Sequence, residues 1–110
     1  MIGDNGVAKD VIKHSEIILK KEVFSNQPCF TIMFLIYLNK EIGFTELRYL
    51  LNLTPGNLDH HIRKLENAGY VKTKKKISWR PLNIIEITQK GSVAFKNYVV
   101  TLKKMLKTIE

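Results

Sequence analysis

Two clusters of side chains carry groups suited to contact with a polyanion whose edges also accept and donate hydrogen bonds. The first cluster falls within one stretch and consists of Thr54, Gly56, Asn57, His60, Arg63 and Lys64. The second is basic with one aromatic residue, and consists of Lys72, Lys74, Lys75, Lys76, Trp79 and Arg80. Small and amide-type side chains can approach and hydrogen-bond base edges, whereas Lys and Arg pair with phosphate oxygens. Nucleic-acid recognition is therefore the chemistry that these residue types favour.

The distribution of charge supports this interpretation. The chain has 18 Lys and Arg against 10 Asp and Glu, a net charge of +8. Residues 1–55 carry six basic and six acidic side chains, so the whole excess lies in the second half. Residues 55–80 alone hold seven basic and two acidic side chains, a net of +5. Such a concentration of one sign predicts a polyanionic partner for this segment.

Enzymatic chemistry finds no support in the sequence. It contains no Ser, His and acid set at a usable spacing, no glycine-rich phosphate loop and no cluster of metal ligands. His60 and His61 are adjacent, so on a helix they point about 100° apart and do not readily chelate one ion. Cys29 begins an apolar run, where a free thiol usually behaves as a small core residue rather than a redox sensor. We therefore expect no enzyme activity, no metal and no cofactor.

Length and composition favour a single domain over residues 1–110. The chain is 45% apolar and 25% charged, with six Gly and three Pro. The longest uncharged apolar run, 29–38, is about ten residues, well short of the roughly 18 to 20 that cross a bilayer. One cysteine and the lack of a basic region leading into an apolar one at the N-terminus fit a cytoplasmic protein without membrane contact.

The first half of the chain has helical patterning. Apolar residues spaced near three and four around 7–23 predict an amphipathic first helix. Pro28 follows three polar residues, as in a first helical turn, and the apolar run 29–38 predicts a central helix on which the others pack. Residues 41–43 are expected to be a short connection.

A helix of about two turns is predicted next, ending near residue 51. Thr45 is a plausible N-cap, and Phe44 before it would pack on Tyr49 as a hydrophobic staple.

The following helix, 55–68, has well-marked ends. Thr54 supplies an N-cap, Pro55 suits the first helical position, and Gly69 suits the position just past the end. Its inward stripe has apolar residues spaced four and three: Leu58, Ile62 and Leu65. His61 lies at the margin of that stripe as a partly buried residue, and the first cluster of polar residues falls on the opposite side.

The pattern then becomes extended. Residues 70–75 and 83–87 are rich in β-branched side chains and predict a β-hairpin, joined by about seven residues, 76–82, that include a proline. The tip of this hairpin is basic.

Thr88 is predicted to cap a last helix, 88–108. Its apolar residues, spaced three and four, are Phe95, Tyr98, Leu102, Met105 and Ile109. This stripe is either an internal core against the first helix or a seam between two protomers. Five large apolar residues on a terminal helix exceed what one small domain conveniently covers, which favours a homodimer.

This order of elements, helix, helix, short turn, helix and hairpin, is that of a winged helix-turn-helix. Residues 43–91 resemble the small single-domain winged-helix transcriptional regulators of prokaryotes, related to the MarR and ArsR types. The resemblance rests on Gly43-Phe44-Thr45-Glu46-Leu47, on the run 53–71 and on Ile87-Thr88-Gln89-Lys90-Gly91. It predicts a mainly α fold with a small β-hairpin, a core of about 28–87 and additional N- and C-terminal helices.

The resemblance implies that helix 55–68 is a recognition helix in the major groove and that 71–87 is the wing, on the DNA backbone or in the minor groove. A major groove about 12 Å wide admits one helix, which agrees with the polar face of 55–68. Thr45 and Arg48 are predicted to contact the DNA backbone. Trp79 either packs across the wing or stacks against sugar and base.

The partners expected are double-stranded DNA and a second copy of the chain; the sequence assigns no effector. A winged-helix protein-interaction module is the alternative from another class, but it predicts an apolar or acidic face on 55–68. An RNA-binding protein is a weaker alternative, because apart from Tyr70 and Trp79 the basic segment lacks the aromatic platforms that stack single-stranded bases.

Overall fold

The computed structural model describes Lys13, Lys20 and residues 22–77 and 79–109. A short 3-10 turn, Val23–Ser25, comes before the main elements. The helices that follow are α1 (Gln27–Asn39), α2 (Phe44–Leu51), α3 (Pro55–Asn67) and α4 (Gln89–Lys107). The strands are β1 (Glu41–Gly43), β2 (Val71–Ile77) and β3 (Pro81–Ile87). The predicted first helix, around 7–23, lies almost wholly outside the described residues.

Three helices begin at a polar cap. The side chain of Asn26 accepts a hydrogen bond from the Cys29 amide at 3.2 Å, at the start of α1. Thr54 and Thr88 accept from amides three residues later, at 3.2 and 2.9 Å, at the starts of α3 and α4. Each side chain satisfies a backbone amide that has no partner inside its helix. The predicted caps of α3 and α4 are confirmed.

The start of α2 was predicted wrongly. This helix begins at Phe44, with Gly43 at the N-cap position and no side-chain cap, so Thr45 lies inside the first turn. Tyr49 is 84% exposed while Phe44 packs against the core, and they do not form the predicted staple. With Gly43 at the N-cap position, Phe44 is the first residue of the helix and not the residue before the cap, so it does not occupy the position that a staple requires.

The three strands form one antiparallel sheet in the order β1-β3-β2. Residues 41–43, predicted to be a connection, are therefore a strand, with Ile42 paired to Ile85. Three residues are too few to show an alternating pattern, so only the presence of β3 beside them creates this strand. Strand β2 lies at the edge of the sheet.

The hairpin is longer than the sequence suggested. Val71 pairs with Ile87 and the register continues without interruption to Ile77 opposite Pro81. Residues 78–80 connect the strands, instead of the seven predicted. Proline is tolerated at the end of a ladder, where its missing amide costs no hydrogen bond in the sheet interior. The added pairs extend the wing away from the body of the domain.

One core joins the helices to the sheet. Its fully buried side chains include the predicted stripe of α3, Leu58, Ile62 and Leu65. The ring of Phe24 stacks on Tyr70 at 5.0 Å between centroids and meets Phe95 edge-on at 5.3 Å. Helix α1 contributes Cys29, Ile32, Met33 and Ile36, but Phe34 and Leu38 are exposed. The predicted central helix is thus buried on one side and exposes apolar side chains on the other.

The apolar stripe of α4 divides into two parts. Phe95 and Tyr98 belong to the core of their own chain, where they contact Phe24, so the prediction that they form a dimer seam is corrected. Leu102 and Met105 are half-buried, and Ile109 is 80% exposed. The division follows the length of α4, because its last two turns extend past the body that covers its first half.

Two glycines are required by the backbone around the hairpin. Gly69 has φ +81°, a left-handed conformation that ends α3 as predicted. A Cβ atom at Gly91 would overlap the carbonyl oxygen of Tyr70, so α4 packs directly on the chain entering β2. Within the described part of the chain, no helix is long and apolar enough to cross a membrane.

Candidate nucleic-acid interface

The outer side of α3 carries the first cluster of polar residues. Gly56, Asn57, His60 and Arg63 are exposed, and Lys64 is half-buried. Asn67 shares this side, which is opposite the buried stripe of α3. The hydroxyl of Thr54 accepts the capping hydrogen bond, so its oxygen is held at the helix start. The predicted cluster is brought together on one accessible helix face.

An ion pair orients the longest side chain of this face. Arg63 Nε donates to Oδ2 of Asp59 at 2.7 Å, one turn earlier on α3. This hydrogen bond raises the pKa of Arg63 above its usual value. Both side chains remain largely exposed, so the pair can open when another acceptor approaches. Asp59 therefore orients Arg63 in the free protein.

His61 anchors the other flank of α3. Its Nδ1 lies 3.8 Å from Sγ of Cys29, at the start of α1. Burial lowers the pKa of His61, and the nearby charges of His60 and Lys64 lower it further. Burial also raises the pKa of the Cys29 thiol. Both groups are therefore uncharged packing residues at neutral pH, as the sequence predicted for each.

A side-chain hydrogen bond connects the wing to α3. Thr73 on β2 donates to Oε2 of Glu66 at 3.0 Å. Because side chains alternate along a strand, Thr73, Lys75 and Ile77 share one face of β2, together with the buried Val71. The remaining lysines of the strand point to the opposite face. The lysines that the sequence grouped into one basic cluster therefore lie on two different faces of the wing.

Three wing lysines share their face with two carboxylates. Residues 72, 86 and 41 are aligned in one row across the three strands. Lys72 lies 3.3 Å from Glu86, and Lys74 lies 3.0 Å from Glu86 and 3.3 Å from Glu41. Lys76 lies 4.0 Å from Glu41. These carboxylates raise the pKa of Lys74, and the lysines lower the pKa of Glu86.

The face of the wing that carries Lys72, Lys74 and Lys76 therefore has a smaller net charge than the number of lysines in the sequence suggests. Three lysines oppose two carboxylates, which leaves one excess positive charge. Glu86 alternates with the apolar Ile85 and Ile87, a signal that places it on the solvent side of β3. No such pattern in the sequence indicated the position of Glu41, because residues 41–43 were not predicted to be a strand.

Lys75 and the residues at the tip of the wing lie away from the two carboxylates that neutralise the other wing lysines. Within the described residues Lys75 makes no ion pair, and it lies on the face of β2 that contacts α3 through Thr73. Trp79 is 85% exposed, which excludes packing across the wing. The guanidinium carbon of Arg80 lies 4.8 Å from the centre of a Trp79 ring, in a cation–π contact.

A groove connects the wing tip to α2. It has a volume of about 470 Å³, and Thr45, Arg48, Arg80 and Leu82 contribute to its lining. The two residues predicted as backbone contacts on α2 are therefore close to the arginine of the wing. Arg48 is half-buried and Thr45 is exposed.

The described ranges contain no group of three or more His, Cys, Asp or Glu side chains placed to hold a metal ion. The rings of His60 and His61 are 5.4 Å apart between centroids and tilted by 59°. His60 turns outward with the polar face of α3, whereas His61 turns toward Cys29.

The order of elements, with a strand between α1 and α2, an exposed polar helix and a β-hairpin beside it, is matched by a family model over residues 29–106. That model describes the winged helix DNA-binding domain. This chain belongs to the winged helix DNA-binding domain family. The fold and family are those of small DNA-binding transcriptional regulators and not of enzymes, as the resemblance implied.

Similar proteins cover most of this winged-helix chain. An uncharacterized protein of Methanocaldococcus jannaschii is 44% identical over 90 residues, which cover 81% of this chain and 98% of the relative. A solved transcriptional regulator homologue from Pyrococcus horikoshii OT3 is 35% identical, with a TM-score of 0.82 over 92% of this chain and 98% of that one. A MarR family protein from Bacillus stearothermophilus shares the fold, with 14% identity and a TM-score of 0.68 over 94% of this chain and 71% of its own.

Proposed function

We propose that this chain is a sequence-specific regulator of transcription that acts in the cytoplasm as a homodimer and occupies promoter DNA. The observation that carries the proposal is the exposed face of α3. Its outward side chains carry hydrogen-bond donors and acceptors, whereas its opposite side is buried through Leu58, Ile62 and Leu65. A helix so placed can enter the major groove without disturbing the core.

The roles of individual residues follow from this placement. Asn57, His60 and Arg63 contact base edges, and Gly56 lets the start of α3 approach closely, since nothing lies within 4 Å of the position its Cβ would take. Lys64 and the amide end of α3 near Thr54 contact phosphate. Thr45 and Arg48 contact the backbone beside the wing. The wing, 71–87, lies on the backbone or in the minor groove.

The end of α4 supports a homodimer. Three apolar residues recur at helical spacing on one side of its last turns, and a fourth follows just past its end: Leu102, Met105, Leu106 and Ile109. Leu106 was absent from the predicted stripe. A second copy of the chain would complete the burial of this side, because Leu102 and Met105 are only half-buried and Leu106 and Ile109 are exposed. Two recognition helices would then face half-sites about 34 to 36 Å apart. The whole of 1–110 would act as one domain within each protomer.

The decisive experiment is selection of bound sites from a random duplex library. A palindromic consensus is expected, with half-sites about one helical turn apart. Enrichment of no sequence over random DNA would contradict sequence-specific recognition. Enrichment of a single, unpaired half-site would contradict the homodimer.

Salt dependence tests the electrostatic part of the proposal. If about half a dozen basic side chains meet phosphates, affinity should fall by about 10³ or more between 50 and 200 mM salt. A gel-shift assay at both concentrations measures this. The same assay distinguishes DNA binding from the protein-interaction alternative, because a module that binds only proteins would shift no duplex at low salt.

A further inference from the structure

The tip of the wing is apolar, although the strand leading to it is basic. Ile77 is 89% exposed and Trp79 is 85% exposed. Ile77 is paired directly with the exposed Pro81 across the end of the hairpin, so their side chains lie side by side. Isolated exposed apolar side chains are ordinary, but here they are adjacent at one projecting end. The sequence interpretation had assigned no role to Ile77.

The tip is directed along the α3 side of the wing. Ile77 lies on the same face of β2 as Thr73, which is hydrogen-bonded to Glu66 of α3. Four residues of strand place Ile77 about 13 Å beyond that contact, and the whole of β2 spans about 20 Å. The centres of the major groove and the next minor groove are about 17 Å apart along the duplex, half of one turn. The wing is therefore long enough to bring its tip to the minor groove beside α3.

The charges around the tip favour DNA over a second copy of the chain. Lys75 lies two residues before Ile77 on the same face, and Arg80 stands in the connection itself. The cation–π contact with Trp79 holds the guanidinium of Arg80 at the tip, and the negative potential of a narrow minor groove attracts such a group. Edge strand β2 carries four lysines, which repel an identical strand.

We infer that Ile77 and Pro81 form an apolar wedge that enters the minor groove and partly unstacks one base step, while Arg80 lies in the groove beside it. Isoleucine and proline are among the side chains that proteins insert in this way, and insertion kinks the duplex by about 20 to 90°. The inference rests on the proposed function, because it requires α3 in the adjacent major groove. Insertion of the wedge would kink the DNA. The protein would therefore prefer sites with an easily unstacked base step at a position that α3 does not contact.

The experiment uses the full chain and an end-labelled duplex of about three helical turns carrying the selected site, with donor and acceptor dyes at its ends. Binding of the wild-type protein should raise energy transfer, as expected for a kinked duplex. Ile77→Ser should keep the fold, because the side chain is exposed, and should lose most of that rise. Its affinity should fall about tenfold with the salt slope unchanged, since no charge is removed. Leu38→Ser, which removes another exposed apolar side chain far along the sequence from the wing, should match the wild type.

Trp79 provides a second readout, because it is the only tryptophan in the chain. Its emission should be quenched on binding to the duplex as the tip enters the groove. A blue shift with vesicles of anionic lipid, and no change with duplex, would assign the tip to a membrane surface and overturn the wedge.

The outcomes distinguish the inference from the proposed function. Binding without a change in energy transfer, or an Ile77→Ser protein that kinks the duplex as the wild type does, would overturn the wedge and leave the proposed function standing. Failure of the wild-type protein to bind any duplex would overturn both. Loss of the dimer in Ile77→Ser, seen by sedimentation, would show that the tip contacts a second copy and would also overturn the wedge.

Discussion

Arg63 and Asp59 form a hydrogen-bonded ion pair, 2.7 Å between Nε and Oδ2, on the exposed side of α3. The pair holds the guanidinium along the helix in the free protein, so that it is oriented before any base is met. It also places a carboxylate where a phosphate would be repelled. A base edge that satisfies the guanidinium with two hydrogen bonds can replace Asp59, which favours guanine over nonspecific backbone contact.

Arg63→Ala should weaken binding to the preferred site by about tenfold or more, and to random duplex by much less. The reason is that a bidentate contact to a base is lost, whereas phosphate contacts elsewhere remain. Titration of both duplexes at one salt concentration measures the two losses, and Arg63→Lys serves as a charge-retaining control. Equal losses on the two duplexes would identify Arg63 as a phosphate contact.

The wing lysines should contribute unequally. Lys75→Ala should reduce the slope of log affinity against log salt by about two, one for each protomer of the proposed dimer, because Lys75 has no ion pair among the described residues. Lys74→Ala should reduce it less, because Glu86 and Glu41 already compensate that charge. Replacing Lys74, Lys75 and Lys76 together should weaken preferred and random duplexes alike. A salt slope unchanged in the triple variant would show that the wing does not touch phosphate.

Two glycines should respond in opposite ways to the same substitution. Gly56→Ala should keep or slightly raise the melting temperature, since the added methyl meets no atom within 4 Å, but should weaken DNA binding. Gly91→Ala should lower the free energy of unfolding by about 1 to 3 kcal/mol, since the methyl overlaps the Tyr70 carbonyl. Thermal unfolding and gel shifts compare the pair. Undiminished binding by Gly56→Ala would exclude close approach at that position.

Acidification should destabilise the domain through His61. Burial holds the pKa of His61 below its usual value of 6.5, so the unfolded chain takes up a proton more readily than the folded one. The stability from neutral His61 is present above pH 6.5 and is lost as the pH falls through the lower folded value. The melting temperature should therefore drop between pH 7.5 and pH 5.5, about one unit to either side of 6.5.

The matched variants for this pH effect lie side by side on α3. His61→Gln should show a smaller drop in melting temperature than the wild type. His60→Gln, at an exposed position, should retain most of the drop, because burial lowers the pKa of His61 more than the charge of His60 does. An equal drop in wild type and His61→Gln would place the source of the pH dependence elsewhere.

Leu106→Glu should dissociate the homodimer, because it places a charge in the apolar side formed by Leu102, Met105 and Ile109. Sedimentation should show a mass of 12.7 kDa, half that expected for the wild-type dimer. Val93→Glu is the matched control, since Val93 is exposed on the opposite side of α4. A wild-type mass of 12.7 kDa would contradict the dimer directly.

Local signals in the sequence were sufficient for the ends of α3 but not for the start of α2. A threonine cap, a proline in the first turn and a terminal glycine act through backbone groups within four residues, so the bounds of α3 were predicted to within one residue. The predicted staple of Phe44 on Tyr49 failed because α2 begins at Phe44, directly after β1, and not after a cap at Thr45. Strand β1 itself was missed because its three residues become a strand only beside β3.

The sequence by itself determined the winged-helix order of elements, the polar face of α3 and the region that carries the excess charge, because periodicity and capping are local properties. Only the tertiary structure decided which wing lysines are paired with carboxylates and which remain free of such pairs among the described residues. Strand register aligns Lys72 with Glu86 and Glu41 and leaves Lys75 on the other face, a sorting that depends on the alignment of three strands. Packing likewise assigned Phe95 and Tyr98 to the core and left the end of α4 exposed, because burial depends on how far a helix extends past the elements that cover it.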